Sequence, residues 1–262
     1  MPNTSDAFKT YYKFNKINEN NPIIFIHGVG LSHRMWDDQI IYFRKFNTIV
    51  YDLIGHNKTP LNQNRISMKN FNKQLLKLVD ELNINKFHLV GFSLGSLIAR
   101  DFASVHDDRL KSLTISGTVY KRSKDEKTQI LNRYETMKLK KDNTKKRALY
   151  RWFTEEFIKK NPLIYKKIYS MLSDTDHETW LKVYKIFIDY EDDDIQIKQI
   201  KTNSLVLTGE NDIGSKPKMS EKISKLIIGS QFKIIEKGKH LCNIECAEKY
   251  NITLKEFIQN NA

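Results

Sequence analysis

Two rhythms of apolar and polar positions alternate along the first 117 or so residues. Short β-type runs, "PIIFIHG" (22–28), "FNTIVYDLIG" (46–55), "KFHLVGF" (86–92) and "LKSLTISGT" (110–118), are separated by stretches with a helical period. In "RMWDDQIIYFRK" (34–45), Met35, Trp36, Ile40 and Phe43 fall on one helix face. In "MKNFNKQLLKLVDELN" (68–83), Phe71, Leu75, Leu78, Val79 and Leu82 do the same, and a third helix is predicted directly after Ser93. Strands that alternate with helices predict a parallel sheet covered on both faces.

From about 120 to 195 the rhythm changes to aromatic-rich helical patterns, "ALYRWFTEEFI" (148–158) and "TWLKVYKIFIDY" (179–190), with no convincing strand. Strand and helix then resume with "NSLVLTGEND" (203–212), a helix from about Pro217, "QFKIIEKGKH" (231–240) and a last helix "YNITLKEFI" (250–258). The expected architecture is α/β: a mostly parallel central sheet flanked by helices. Its core is 1–119 and 196–262, and 120–195 is an inserted helical lid.

Composition narrows this picture only modestly. A chain of 262 residues with 40% hydrophobic content suits one large domain with a real core. The opening "MPNTSDAFKTYYKFNKINEN" is polar, and no apolar run approaches the roughly 18–20 residues that span a bilayer. A soluble, cytoplasmic protein with no membrane partner is expected. Cys242 and Cys246 are the only cysteines; they make no disulfide framework, and His240 alone is too little to complete a metal site with them. No cofactor or metal is expected.

Charge raises a different possibility. The net charge is +13, and 121–167 alone carries 16 Lys and Arg against 6 Asp and Glu. No zinc-finger spacing, RNP-like strand or basic region leading into heptads accompanies it, so no nucleic-acid partner is expected. A solvated basic face is the simple reading, and attraction of an anionic small molecule is the sharper one.

In an open parallel sheet, sites lie at the carboxyl ends of the strands, and the chemically competent residues fall there. "GFSLG" sets Ser93 on a strand-to-helix join between Gly91 and Gly95. Such a turn lifts a hydroxyl clear of the sheet and points a helix N-terminus at it; a plain N-cap serine is the alternative. A serine hydroxyl needs a base. Of the seven histidines, only His240 follows the last strand in a short glycine-containing loop, "EKGKH". The imidazole needs an acid to hold its tautomer. "LVLTGENDIG" offers Asp212, with Glu210 as the alternative. Backbone N–H groups of Leu94 and, from "HGVG", Val29 are the expected donors to an oxyanion.

The segments "HGVGLSHRMWDDQI", "YDLIGHNKT", "VGFSLGSL", "LTGENDIGSKP" and "GKHLCNIE" resemble the α/β-hydrolase family, in its order and over most of the chain outside the insertion. The order Ser93, Asp212, His240 is the one this fold uses. The family usually carries D-x-x-G-x-G-x-S after the second of these strands. Here Asp52 and Gly55 are kept while Asn57 and Thr59 replace the second glycine and the serine, which puts the loop's shape in question. Ser96 likewise stands where many relatives have glycine.

A narrower resemblance, through "ALYRWFTEEF" and "HLCNIECAEKYN", is to the 3-oxoadipate enol-lactonase group. It implies a small lactone carrying a free carboxylate, with Arg151 and Trp152 as the lid residues nearest the pocket. The expected activity is therefore hydrolysis of a small ester or lactone, an anionic lactone among them, through an acyl-enzyme. Carbon–carbon bond hydrolysis on the same scaffold is one alternative. A non-catalytic ligand receptor that keeps the triad is another, distinguished by saturable binding without turnover.

Overall fold

The computed structural model describes residues 3–62, 66–139 and 144–262. Its elements run β1 (Tyr12–Asn15), β2 (Ile23–Ile26), α1 (Asp37–Tyr42), β3 (Thr48–Tyr51), α2 (Met68–Glu81), β4 (Phe87–Phe92), α3 (Leu94–Val105) and β5 (Leu110–Ser116). Six helices follow: α4 (Lys124–Lys138), α5 (Thr144–Trp152), α6 (Glu155–Lys160), α7 (Pro162–Asp174), α8 (His177–Asp189) and α9 (Asp194–Lys198). The chain ends with β6 (Ser204–Gly209), α10 (Pro217–Leu226), β7 (Gln231–Ile235), α11 (Cys242–Glu245) and α12 (Ala247–Gln259).

The seven strands form one sheet in the order β1-β3-β2-β4-β5-β6-β7. Every neighbouring pair is parallel except β1 with β3. Apolar runs without alternation belong in the middle of a sheet covered on both faces. β2, β3, β4 and β6 accordingly bury every residue, whereas edge strands β1 and β7 keep exposed positions. One apolar cluster gathers α2, α3 and α10 residues on one face. The other holds Trp36, Phe43, Leu254 and Phe257 together with Leu149, Phe153 and Leu172 from the inserted helices.

Sequence and structure differ in three places, each for a local reason. β1 is not among the expected strands, because its residues alternate between half-buried and exposed at an edge and "YKFN" is too polar to stand out. The helix expected over 34–45 begins instead as a 3-10 turn, His33–Trp36, before α1. The run 148–158 is two helices: α5 ends at Trp152, and Thr154 caps α6 by accepting the Phe157 N–H at 3.2 Å. Among the described residues, no helix is long and apolar enough to cross a membrane.

Candidate active site

The join between β4 and α3 is a close crossing of backbones. A side chain on Gly91 would put its Cβ 2.2 Å from the Gly95 carbonyl oxygen, and one on Gly95 would reach within 2.4 Å of the Ile26 carbonyl. Both neighbours are backbone and cannot yield, so glycine is required at both ends of the turn. Between them Ser93 adopts φ 54° and ψ −113°, a strained conformation for a residue with a Cβ, worth on the order of 1–3 kcal/mol. It is fixed by the Ser93 N–H donating to Ser116 at 2.9 Å and the Ser96 hydroxyl donating to the Ser93 carbonyl at 2.6 Å. Ser96, the unusual residue after the turn, thus fastens it.

Ser93, Val29, Asp212 and His240 border one cavity of about 200 Å³. His240 Nδ1 lies 2.6 Å from Asp212 Oδ2. A carboxylate only accepts, so Nδ1 carries the proton and Nε2 is the free basic nitrogen. Asp212 Oδ1 accepts the N–H groups of Gly214 and Ser215 at 2.9 and 2.8 Å, which fixes the carboxylate's direction. Glu210 is exposed and bonded to the Lys237 N–H, so it is not the residue facing His240. The imidazole packs against Phe92 at 4.8 Å and Trp152 at 6.1 Å between ring centroids. Gly117 takes φ 57°, and a Cβ there would sit 3.1 Å from the Phe92 ring and 3.3 Å from the His240 ring. No hydrogen bond joins Ser93 to His240 among the described residues; such bonds often tighten only when substrate is bound.

The N–H groups of Val29 and Leu94 have no hydrogen-bond partner among the described residues. Leu94 is free because it opens α3. Val29 is free because its neighbours are tied elsewhere: Gly30 N–H donates to His56 Nε2 at 3.0 Å, and Leu31 N–H to the Gly28 carbonyl at 3.2 Å. Gly30, at φ 71°, also has no room for a side chain, since its Cβ would overlap the Trp180 ring at 1.6 Å.

Behind this loop stands a buried polar network. The Leu53 N–H donates to His27 Nε2 at 2.9 Å, so His27 Nδ1 donates to the Gly28 carbonyl at 2.8 Å. Asp52 accepts from the His33 N–H and ring Nδ1, each at 2.8 Å. Gln74, a polar residue on the buried face of α2, accepts the Ile54 N–H and donates to the Asp52 carbonyl. The altered loop keeps its shape by substitution in kind. Asn57 takes φ 45° where glycine is usual and donates to Asp52 Oδ2 at 2.8 Å, and Thr59 Oγ1 accepts the Tyr11 N–H at 2.9 Å. Asparagine tolerates the left-handed region better than other side chains.

Burial holds three histidines neutral, with pKa values lowered from 6.5 to about 3 for His27, about 4 for His56 and about 4 for His88. The unfolded chain binds protons at these residues near pH 6.5, and the folded chain does not until far lower. Stability is therefore present above about 6.5 and lost as pH falls toward 4, each group contributing at most about 1.4 kcal/mol per pH unit. The urea midpoint is expected to drop steadily between pH 7 and 4.5. His88→Asn, which keeps a donor toward Ser112 (2.8 Å from His88 Nδ1), should make that slope shallower. A midpoint flat across this range would contradict the assignment.

Of the other expected residues, Arg151 and Trp152 both line the cavity. The corner after α5 is held to the histidine loop. Leu241 N–H donates to the Trp152 carbonyl at 3.1 Å, and Glu245 accepts from Thr154 and Lys239. Arg122, Trp180 and Tyr184 also line the cavity and were not anticipated; Arg122 was legible only as the first arginine after β5. Cys242 is buried and Cys246 half-buried, both as free thiols. Among the described residues, no group of three His, Cys, Asp or Glu is placed to hold a metal ion.

Comparison with known proteins matches a family model described as alpha/beta hydrolase fold over residues 21–246. The chain is similar to an (E)-2-((N-methylformamido)methylene)succinate hydrolase of Acinetobacter baylyi, 26% identical over 92% of this chain and 91% of that protein. It is 25% identical to 3-oxoadipate enol-lactonase 1 of the same organism, over 92% of this chain and 90% of that one. Its backbone superimposes on the crystal structure of the enol-lactonase from Burkholderia xenovorans with a TM-score of 0.86, at 23% identity over 95% and 96% of the two chains.

Proposed function

The chain belongs to the α/β-hydrolase family, and from that premise we propose that it is a serine hydrolase of small esters or lactones working through an acyl-enzyme. The observation that carries this reading is the meeting of a strained serine and a hydrogen-bonded Asp212–His240 pair on one cavity. Ser93 Oγ attacks the substrate carbonyl as His240 Nε2 takes its proton. The negative charge that develops on the carbonyl oxygen is held by the Leu94 and Val29 N–H groups, aided by the positive end of α3. Asp212 keeps the proton on Nδ1 and stabilises the imidazolium. His240 then gives its proton to the leaving oxygen. Water, deprotonated by the same nitrogen, releases the acid and restores Ser93.

The helices between β5 and β6 act in this reading as a lid over the sheet end, with Trp152 shaping the acyl pocket and Arg151 drawing in an anionic group. Arginines in the cavity lining support an anionic substrate. So do the relatives named for a succinate and for an oxoadipate lactone. The test is a panel of esters, five- and six-membered lactones and vinylogous diketones, with products identified by mass. Acid and alcohol, or ring-opened acid, are expected. Turnover confined to the diketones would assign carbon–carbon cleavage instead, and saturable binding without turnover a receptor.

A further inference from the structure

Arg122 follows β5 and lies with its guanidinium carbon 4.5 Å from the Phe187 ring centroid, at the cavity wall. Its Nη2 is fully buried and has no hydrogen-bond partner. Burial lowers its pKa, and the acidic groups around it, Asp192, Glu191 and Glu126, work against that. Each of those acids is already held by another cation. Asp192 pairs with Arg100 at 2.9 Å, Glu191 with Lys127 at 2.9 Å and Glu126 with Lys216 at 2.7 Å. A half-buried guanidinium whose one fully buried nitrogen is an open donor, with spoken-for neighbours, is an unfavourable arrangement unless something else completes it.

A second cationic centre lies elsewhere on the same wall. Arg133, Arg147 and Arg151 line an adjoining cavity of about 240 Å³, and Arg133 and Arg151 border both cavities. None of the three forms an ion pair among the described residues. Arg151 is held down to about 10, first by burial and then by the like charges of Arg133 and Arg147. Arg122 lines the first cavity and not the adjoining one, whereas Arg147 lines the adjoining cavity and not the first, so the two centres are distinct.

We propose that the cavity has two separate anion subsites, Arg122 and the Arg133–Arg147–Arg151 cluster, so that its substrate is a small ester or lactone bearing two carboxylates. This rests on the hydrolase reading above. A guanidinium pairs with a carboxylate through two parallel hydrogen bonds, and two such anchors would hold the acyl group at fixed ends over Ser93.

The test compares ethyl butyrate, monoethyl succinate and monoethyl tricarballylate, which carry no, one and two carboxylates. The ratio kcat/KM is expected to rise by about tenfold or more with each carboxylate. Arg122→Gln and Arg151→Gln should each lower the two-carboxylate to one-carboxylate ratio by about tenfold. Arg122→Lys, which keeps the charge but loses the fork, should lower it less, and it carries the test if the glutamine variant does not fold. Lys45→Gln, at an exposed cation that lines neither cavity, should leave the ratio unchanged.

Turnover with no preference for carboxylates, or a ratio unmoved by Arg122→Gln, overturns the two-subsite proposal and leaves the hydrolase standing. No turnover of any ester, with calorimetric binding of tricarballylate that Arg122→Gln weakens, overturns the hydrolase and supports the subsites. Neither turnover nor binding overturns both.

Discussion

Ser93→Ala is expected to lower ester or lactone hydrolysis by at least about a thousandfold while leaving the fold intact. The effect is large because, of the hydroxyls that border the cavity, Ser93 alone sits on the strained turn at the head of α3. Cys242 is fully buried, with its pKa raised by burial, and is not among the residues that line the cavity. Folding is preserved because alanine keeps the Cβ and can take the same φ and ψ. The carbonyl of residue 93 still accepts from Ser96, and its N–H still reaches Ser116. What remains after the substitution would come from the two free N–H groups and from binding alone. Circular dichroism and the urea midpoint check the fold; a stopped assay with the best ester checks the rate.

Asp212→Asn is the second large effect, on the order of a thousandfold or more in kcat. The asparagine oxygen can still accept from Gly214 and Ser215, which fixes the amide so that its nitrogen faces the imidazole. An amide N–H donates, so His240 Nδ1 must accept and the ring proton moves to Nε2. The base is then in the wrong tautomer, although every heavy atom is close to its place. The stability change should be small, which separates this loss from unfolding. Glu210→Gln is the matched control: its carboxylate caps the Lys237 N–H at the surface, and activity should change less than about twofold. If Glu210→Gln lost activity and Asp212→Asn kept it, the acid would be misassigned.

Much of this was legible in the sequence because strand-end chemistry is local. Glycines at 91 and 95 reported a backbone crossing so close that a Cβ at either position would come within 2.4 Å of a carbonyl oxygen. Asp212 and His240 were readable from loops that directly follow β6 and β7. The polar network under the glycine loop was not readable. His27, His33, His56, Asp52 and Gln74 come from four separate segments, and each is an ordinary polar residue until the fold stacks them. Gln74 interrupts an apolar face, the one local hint, but its partners are set by the tertiary path. The same holds for Arg122, whose significance lies in three acids that other cations already occupy. β1 leaves too short a pattern to read, being an antiparallel edge strand of four residues, two half-buried and two exposed.

The stiff part of the site and the variable part are physically separate. Turn, glycine loop and Asp212, the parts to which the proposed mechanism assigns the reaction, are fastened by backbone hydrogen bonds and glycine crossings. The cavity's far wall is built from helices inserted between β5 and β6, and it carries the arginines proposed to hold carboxylates. Substitutions in the first group should change kcat, and those in the second should change which acids are accepted.

The most direct measurement is intact-mass and peptide-mapped analysis of the protein after reaction with a small fluorophosphonate, which captures an activated serine as a stable phosphonate ester with loss of fluoride. The account predicts one adduct per chain, located on Ser93, absent in Ser93→Ala and formed far more slowly in Asp212→Asn. Ester hydrolysis that persists with Ser93 unmodified, or an adduct that forms on another residue as activity is lost, would contradict it.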